Sequence, residues 1–346
     1  MTDFSKKLLH WHRHSNKRQM PWKGEKDPYK IWLSEVILQQ TRVEQGWSYY
    51  EKFLQHFPTI CDLANAQDNT VFKLWEGLGY YNRCKNLLFT ARYICNDLQG
   101  KFPEKYEEVL ALKGVGSYTA SAICSFAYNQ PYAVVDGNVF RVLSRIYGIK
   151  KAIDSTDSKQ YFTTLAQENI DKKHPALYNQ AIMDFGATVC KPANPACAAC
   201  IMSHICIAHK NGMVNQLPVK EKILLKKTRY FSWFVIAVKE EIFVHLRTDK
   251  DIWQNLNEFY CLETETRQDW NRESVTDYIN NQFSLKPLSI FVSKEFSQQL
   301  THQQIKAVFI KVELEKKPDA LSSYTWSPAG QLSQLAFPKI INEYLN

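Results

Sequence analysis

The feature that most limits what this chain can be is the stretch CKPANPACAACIMSHIC, residues 190–206, with Cys190, Cys197, Cys200 and Cys206 spaced C-x6-C-x2-C-x5-C. Four thiolates this close in sequence can close around one metal centre, and the prolines and small residues between them leave a compact loop to wrap it. Zinc and an iron-sulfur cluster both accept four cysteines, so the spacing alone leaves the metal open. Either centre would be closed, without a free coordination position, which points to a structural brace. The chain has nine cysteines in all. The other five, Cys61, Cys84, Cys95, Cys124 and Cys261, stand singly in apolar or helical stretches. They are expected to be ordinary buried thiols, with no disulfide framework.

A length of 346 residues with 45% hydrophobic content supplies enough apolar surface for two cores. The formal net charge of +8 suits a polyanionic partner without demanding one. No long apolar run reads as a membrane span, and the N-terminal MTDFSKKLLHWHRHSNKR lacks the apolar core of a signal sequence. A cytoplasmic monomer without membrane attachment is expected, nucleoid-associated if the source is bacterial.

Periodicity changes along the chain. From about residue 30 to 208 apolar residues recur at three and four, the helical pattern. PYKIWLSEVILQQTRVEQGWSYYEKFLQHF, from Pro28 to Phe57, predicts one long helix with Pro58 beyond its end. NGMVNQLPVKEKILLKKTRY, with five basic residues against one acid between Leu217 and Tyr230, reads as a linker able to lie along an anion. After it, YFSWFVIAV and EIFVHLR predict two strands joined by a tight turn at Lys239 to Glu241. ESVTDYINNQF predicts a helix and IKAVFIKVEL a further strand. The chain is therefore multi-domain: mainly α for two thirds, then α+β.

Two motifs in the helical part carry chemistry. LKGVGSYTASAICSFAY puts Gly114 and Gly116 between a helix end and a helix start, where a tight turn lets backbone N–H groups approach a phosphate. About twenty residues on, VVDGNVFRV sets the carboxyl of Asp136 at the head of an apolar helical run. A carboxyl there is costly unless it caps the helix or meets a positive charge.

Taken together these motifs resemble the helix-hairpin-helix DNA glycosylases, and the cysteine loop resembles the iron-sulfur signature of their endonuclease III-like branch. MPWKGEKDPYKIWLSEVILQQTRV and LWEGLGYYNRCKNL look like the MutY-type adenine DNA glycosylases, with the likeness running from about Arg18 to Cys206 and more weakly beyond. The resemblance implies one 4Fe-4S cluster on Cys190, Cys197, Cys200 and Cys206. It also implies a helical glycosylase region over 1–212, made of a six-helix barrel at about 23–130 and a cluster domain from 1–22 and 131–212. A linker at 213–228 and a NUDIX-like domain at 229–346 would follow. That last domain would recognise 8-oxoguanine; the Glu-rich helix of true NUDIX hydrolases is not visible, so it would read a base and not cut a nucleotide.

The implied reaction is hydrolysis of the N-glycosidic bond of adenine opposite 8-oxoguanine or guanine in duplex DNA. Such a reaction needs a protonated leaving base and a stabilised oxocarbenium-like sugar, hence two carboxyl groups with separate tasks. The resemblance assigns Glu35, between apolar flanks, to protonate adenine, and Asp136 to the sugar, with Tyr118 and Asn138 hydrogen-bonded around them. Arg18, Trp22 and Gln180 would line the base pocket. Gln40, with Thr41 beside it, would fill the gap left by the extruded base, and Tyr80 would insert near the oxidised guanine. Lys113 and Arg141 are phosphate-contact candidates beside Gly114 and Gly116. Lyase-active relatives carry a lysine at position 118; a tyrosine cannot form a Schiff base, so the strand should stay uncut.

Departures cluster in the last third. Where the family shows an F-S-H loop, this chain has Leu300, Thr301 and His302, so an aromatic is lost while the hydroxyl and imidazole stay. Asn255 and Asn257 stand where relatives carry glycine or aromatic residues, while Trp253 and Phe259 are expected in the core. An iron-sulfur glycosylase for another base, such as thymine or an oxidised pyrimidine, is the alternative enzyme.

Overall fold

The computed structural model describes residues 2–221 and 226–346. Residues 222–225, in the middle of the expected linker, lie outside the described set. The chain forms two compact units: Met1–Asn65 with Lys85–Ile223, and Ala66–Cys84 with Leu224–Asn346. The second unit thus borrows a segment from within the region expected to be one helical domain.

The helices of the first two thirds are α1 (Asp3–His14), α2 (Pro28–Leu38), α3 (Val43–His56), α4 (Ile60–Asn65), α5 (Asp68–Trp75), α6 (Asn82–Asn96), α7 (Tyr106–Leu110), α8 (Ser117–Tyr128), α9 (Gly137–Tyr147), α10 (Thr156–Asn169), α11 (Pro175–Thr188) and α12 (Ile207–Lys210). Among the described residues none is long and apolar enough to cross a membrane. Local chemistry sets the key boundaries. Asp27 accepts the Tyr29 N–H at 2.9 Å and Pro28 opens α2, while Asp136 caps α9, which ends on Gly148 in the left-handed region. One face each of α1, α9 and α11 meets in a core that includes Leu8, Leu9, Val139, Leu143, Tyr178 and Phe185.

Three sequence expectations change here. The single helix over 28–57 is two, because Gln40 takes φ +59° and the chain turns between Leu38 and Val43. The stretch Met213–Glu221 is packed, not free: Leu217 is buried, and the carbonyls of Val214 and Leu217 accept from Arg145 Nε at 3.0 Å. Cys61 in α4 and Cys95 in α6 form a disulfide with Cα atoms 5.2 Å apart. Their spacing, 34 residues, hid the pairing; packing of two helices brings them together.

The second unit is built on a mixed sheet in the order β6-β8-β1-β2-β9, with β5 also on β1 and β7 on β8. Its strands are β1 (Lys227–Val238), β2 (Glu241–Phe243), β3 (His245–Leu246), β4 (Asn257–Glu258), β5 (Tyr260–Thr264), β6 (Ser289–Val292), β7 (Phe296–Gln299), β8 (Gln303–Glu313) and β9 (Trp326–Pro328). The predicted hairpin is present, with Val238 opposite Glu241 and Lys239 at φ +57°. EIFVHLR divides, however: β2 stays in the main sheet and β3 pairs with β4. β1 runs parallel to β8 and is buried on both faces, as its continuous apolar run requires. On one face Phe234 and Ile236 pack against Val275 and Ile279 of α13 (Arg272–Phe283); on the other Trp233 stacks on Phe309, near Trp253. The C-terminal helix α14 is Lys339–Leu345. The borrowed segment is tied in by Lys73 Nζ donating to the Leu335 carbonyl at 2.9 Å and by the Phe337 N–H donating to Glu76 at 2.9 Å.

Candidate active site

A cavity of about 850 Å³ opens in the first unit between α1, α2, α8, α9, α11 and the loop after α1. α2 carries Glu35 to its floor. Trp32, Leu33, Val36 and Ile37 around it are buried, and Glu35 is itself 7% exposed. Burial, with the nearby charge of Asp136 adding to it and a hydrogen bond from Tyr118 opposing, pushes the Glu35 carboxyl up to about 7. The Tyr118 hydroxyl, from the first turn of α8, lies between Glu35 and Met183, with Met183 Sδ at 3.5 Å, and is driven well above the ordinary phenol range by burial.

Asp136 faces the same cavity from the head of α9. The residue keeps some exposed surface, but its carboxyl is enclosed, and burial raises its pKa while N–H donors pull the other way. One oxygen accepts the Val139 N–H at 2.7 Å and the other the Asn138 amide at 2.6 Å. The residue caps α9 and at the same time presents its carboxyl to the cavity. Asn138 is held in turn by Arg141, whose guanidinium also donates to the carbonyls of Gly137, Gly186 and Cys190. Arg141 is therefore an internal bracket, buried at 8% exposure, and not the surface phosphate contact its charge suggests.

Arg18, Lys23 and Gln180 line the cavity around a buried hub behind its wall, and here the sequence reading missed the central member. Asp184, fully buried on α11, makes ion pairs with Arg18 at 3.0 Å and Lys23 at 3.2 Å and accepts from Asn16 at 2.7 Å and Gln180 at 3.0 Å. The available signal was a lone acid within AIMDFGA, four residues after Gln180 and so on its helical face. Lys23 and Asn16 carried no comparable signal. Trp22 lines the cavity too, edge-on to Tyr50 at 5.4 Å. Gln40 and Thr41 reach its rim because the α2–α3 break turns them there; Gln40 is exposed.

The hairpin residues do not line this cavity. Gly114, at φ +82°, turns the chain into α8, and an added Cβ would lie 2.7 Å from Asn86 Cβ. Gly116 caps α8 with extended backbone. The exposed Lys113 rests its ammonium 4.1 Å over the Phe89 ring. In the second unit Tyr80, exposed and at φ +49°, hydrogen-bonds the Thr301 hydroxyl. Thr301 and His302 sit exposed in the turn between β7 and β8.

Cys190, Cys197, Cys200 and Cys206 together border one small cavity in the first unit. Arg145 donates to Cys190 Sγ at 3.4 Å and the Met202 N–H points to Cys200 Sγ at 3.4 Å. Burial and the neighbouring sulfurs raise the Cys200 thiol to about 11, against the pull of the Met202 N–H. Four such thiols fit a bound cation centre, which supplies the positive charge their deprotonated forms need. Among the described residues no three His, Cys, Asp or Glu are gathered as around a single metal ion.

The arrangement can donate a proton near neutral pH from Glu35 while Asp136 stabilises a cation beside it. Comparison with known proteins identifies the chain's family. Residues 33–168 match the HhH-GPD superfamily base excision DNA repair protein model, and 232–346 match the NUDIX domain model. The chain is 34% identical over 307 residues to the adenine DNA glycosylase of Buchnera aphidicola subsp. Baizongia pistaciae, covering 86% of this chain and 83% of that protein. It is 41% identical over 226 residues to the adenine DNA glycosylase of Homo sapiens, covering 63% of this chain and 41% of that one. Among solved structures, a thermostable thymine-DNA glycosylase aligns with a TM-score of 0.56 at 28% identity, over 60% of this chain and 95% of that one. A non-covalent endonuclease III–DNA complex aligns at 0.52 and 20% identity, over 61% and 95%, a likeness of fold.

Proposed function

Since the chain belongs to the adenine DNA glycosylases, base-excision repair hydrolases that remove adenine from DNA, we propose that its substrate is adenine paired with 8-oxoguanine or guanine in duplex DNA. The observation that carries the mechanism is Glu35, a buried carboxyl pushed up to about 7 in the wall of a cavity large enough for a base.

The target adenine leaves the stack, at a cost of about a few kcal/mol, and enters the cavity against Trp22, Arg18 and Gln180. Glu35 gives its proton to N7, so the base departs neutral. Asp136, oriented by Val139 N–H and Asn138, stabilises the positive charge growing at C1′ or bonds it transiently before water completes hydrolysis. Tyr118 holds the Glu35 carboxyl in place. Gln40 fills space vacated in the duplex, and in the second unit Tyr80, hydrogen-bonded to Thr301 and with His302 near by in the chain, serves to meet the base opposite. The hairpin of Lys113, Gly114 and Gly116 clamps a backbone phosphate at the head of α8. Tyr118 offers no amine, so the abasic strand is left intact.

Cys190, Cys197, Cys200 and Cys206 would hold one 4Fe-4S cluster, whose chemistry here is to cross-link the loop. Arg145 would brace that loop from α9, through Cys190 and the Lys191 and Pro192 carbonyls.

The test is single-turnover reaction of a duplex with one adenine opposite 8-oxoguanine, quenched with and without hot alkali, beside duplexes with adenine opposite guanine and thymine opposite guanine. A nick only after alkali, on the two adenine duplexes, and lost in Glu35→Gln, is the expected result. Cleavage confined to the thymine duplex would point to the other target base, and a nick without alkali would overturn the role given to Tyr118.

A further inference from the structure

His12, on α1, borders the cavity but belongs to none of the motifs that mark the site. Its Nδ1 lies 3.0 Å from the amide nitrogen of Asn16. The amide of Asn16 has no freedom to flip, because its oxygen accepts the Arg18 backbone N–H at 3.0 Å and its nitrogen donates to Asp184 at 2.7 Å. The second amide hydrogen therefore points at His12, and His12 Nδ1 must be a bare acceptor. The imidazole is thus neutral with its proton on Nε2.

We propose that His12 is a positioning residue for the base-binding wall: as a neutral imidazole it locks Asn16, and through it Asp184 and the Arg18 backbone. Asp184 in turn orders Arg18, Lys23 and Gln180, so one acceptor nitrogen sets the registry of five side chains, those of Asn16 and Asp184 included. Protonation of His12 would turn Nδ1 into a donor facing another donor and break the chain at its first link. The charges around it are Lys23 from the loop after α1, Arg13 on α1 itself and Asp184 from α11. Burial, then Lys23 and Arg13, disfavour the charged ring, while Asp184 favours it. The neutral form persists to a pH below the ordinary imidazole value, and the lock opens beneath it.

This inference rests on the adenine reading, and its test separates the two. Single-turnover rates on the adenine duplex are measured between about pH 5 and 8 for wild type, His12→Gln and His12→Phe. In His12→Gln the amide oxygen can take the Asn16 hydrogen at every pH. That variant should keep the neutral-pH rate within about threefold, and its acid limb should move to lower pH, leaving only the part set by Asp136. His12→Phe leaves a half-buried donor unpaired and should be about tenfold slower at neutral pH, the difference narrowing toward acid as wild type loses the same lock. If His12→Phe does not fold, the His12→Gln profile decides, and an acid limb identical to wild type overturns the proposal. If wild type releases no adenine, the functional reading has failed on its own. The nitrogen chemical shifts of His12 still test the lock: an acceptor-type Nδ1 at neutral pH supports it, and a protonated Nδ1 overturns it.

Discussion

Replacing Gly186 by alanine should separate catalysis from folding at one atom. Gly186 lies on α11 against the first turn of α9, and an added Cβ would stand 2.6 Å from Asn138 Cβ, 3.1 Å from its carbonyl oxygen and 3.2 Å from its carbonyl carbon. Ordinary carbon contacts sit at about 3.5–4.0 Å, so the overlap is about 1 Å, and backbone atoms give way less than side-chain ends. The two helices share a core, so neither can withdraw without opening a void. Overpacking costs about 1–3 kcal/mol, and alanine in a helix returns about 1 kcal/mol over glycine. A net loss of about 0–2 kcal/mol follows, easily carried by a folded domain. The displaced residue is Asn138, which holds Asp136 at 2.6 Å and accepts from Arg141 at 2.8 Å. A shift of about 1 Å at a catalytic carboxyl costs about a hundredfold in rate. Thermal melting and single-turnover kinetics at saturating enzyme should thus show a modest change in Tm beside a large fall in the chemical step. Gly137→Ala, one residue past Asp136 and with nothing within 4 Å, is the control and should melt no lower than wild type. A Gly186→Ala enzyme with the wild-type rate would refute the reasoning.

Other outcomes follow from the same geometry. Adenine release should decline as pH rises through about 7, because Glu35 must carry its proton. The carboxyl binds its proton more tightly folded than unfolded, so stability should also fall between the ordinary glutamate value and about 7; Glu35→Gln should flatten that segment of a denaturation-versus-pH series. Reducing Cys61–Cys95, or changing either to serine, removes a cross-link over 34 residues and should cost about 3–4 kcal/mol in chemical denaturation, with equal stability in both redox states counting against it. Asn255→Gly should leave stability unchanged or raise it by up to about 1 kcal/mol, since Asn255 sits at φ +67° where glycine is unstrained. Purified protein should absorb in the visible through its cluster, and Cys197→Ser should lower the bound iron measured per chain.

Much of the site was legible because its residues come in local motifs. Glu35, Asp136, Tyr118, Asn138 and Gln180 do border one cavity, and the four cysteines border another. Trp253 and Phe259 are buried as expected. Illegible were the partners that meet only in space. Asp184 and Arg18 are 166 residues apart, and no periodicity links them. Arg141 looked like a solvated cation because its neighbours in sequence do not reveal the four acceptors that enclose it.

By itself the sequence determined the local terms: which residues cap α2 and α9, where glycine lets the chain turn at 114, which runs alternate as helix or strand, and that four thiols stand within one loop. These depend on neighbours a few bonds away, where backbone sterics and hydrogen bonding act regardless of the rest of the chain. Tertiary structure alone decided the split of the long helix at Gln40, the Cys61–Cys95 bond, the parallel pairing of β1 with β8 and the ion-pair hub at Asp184. It also decided the chemistry of Glu35. A glutamate on a helix is an ordinary acid until packing removes its water, and how much water is lost depends on elements distant in sequence closing over it.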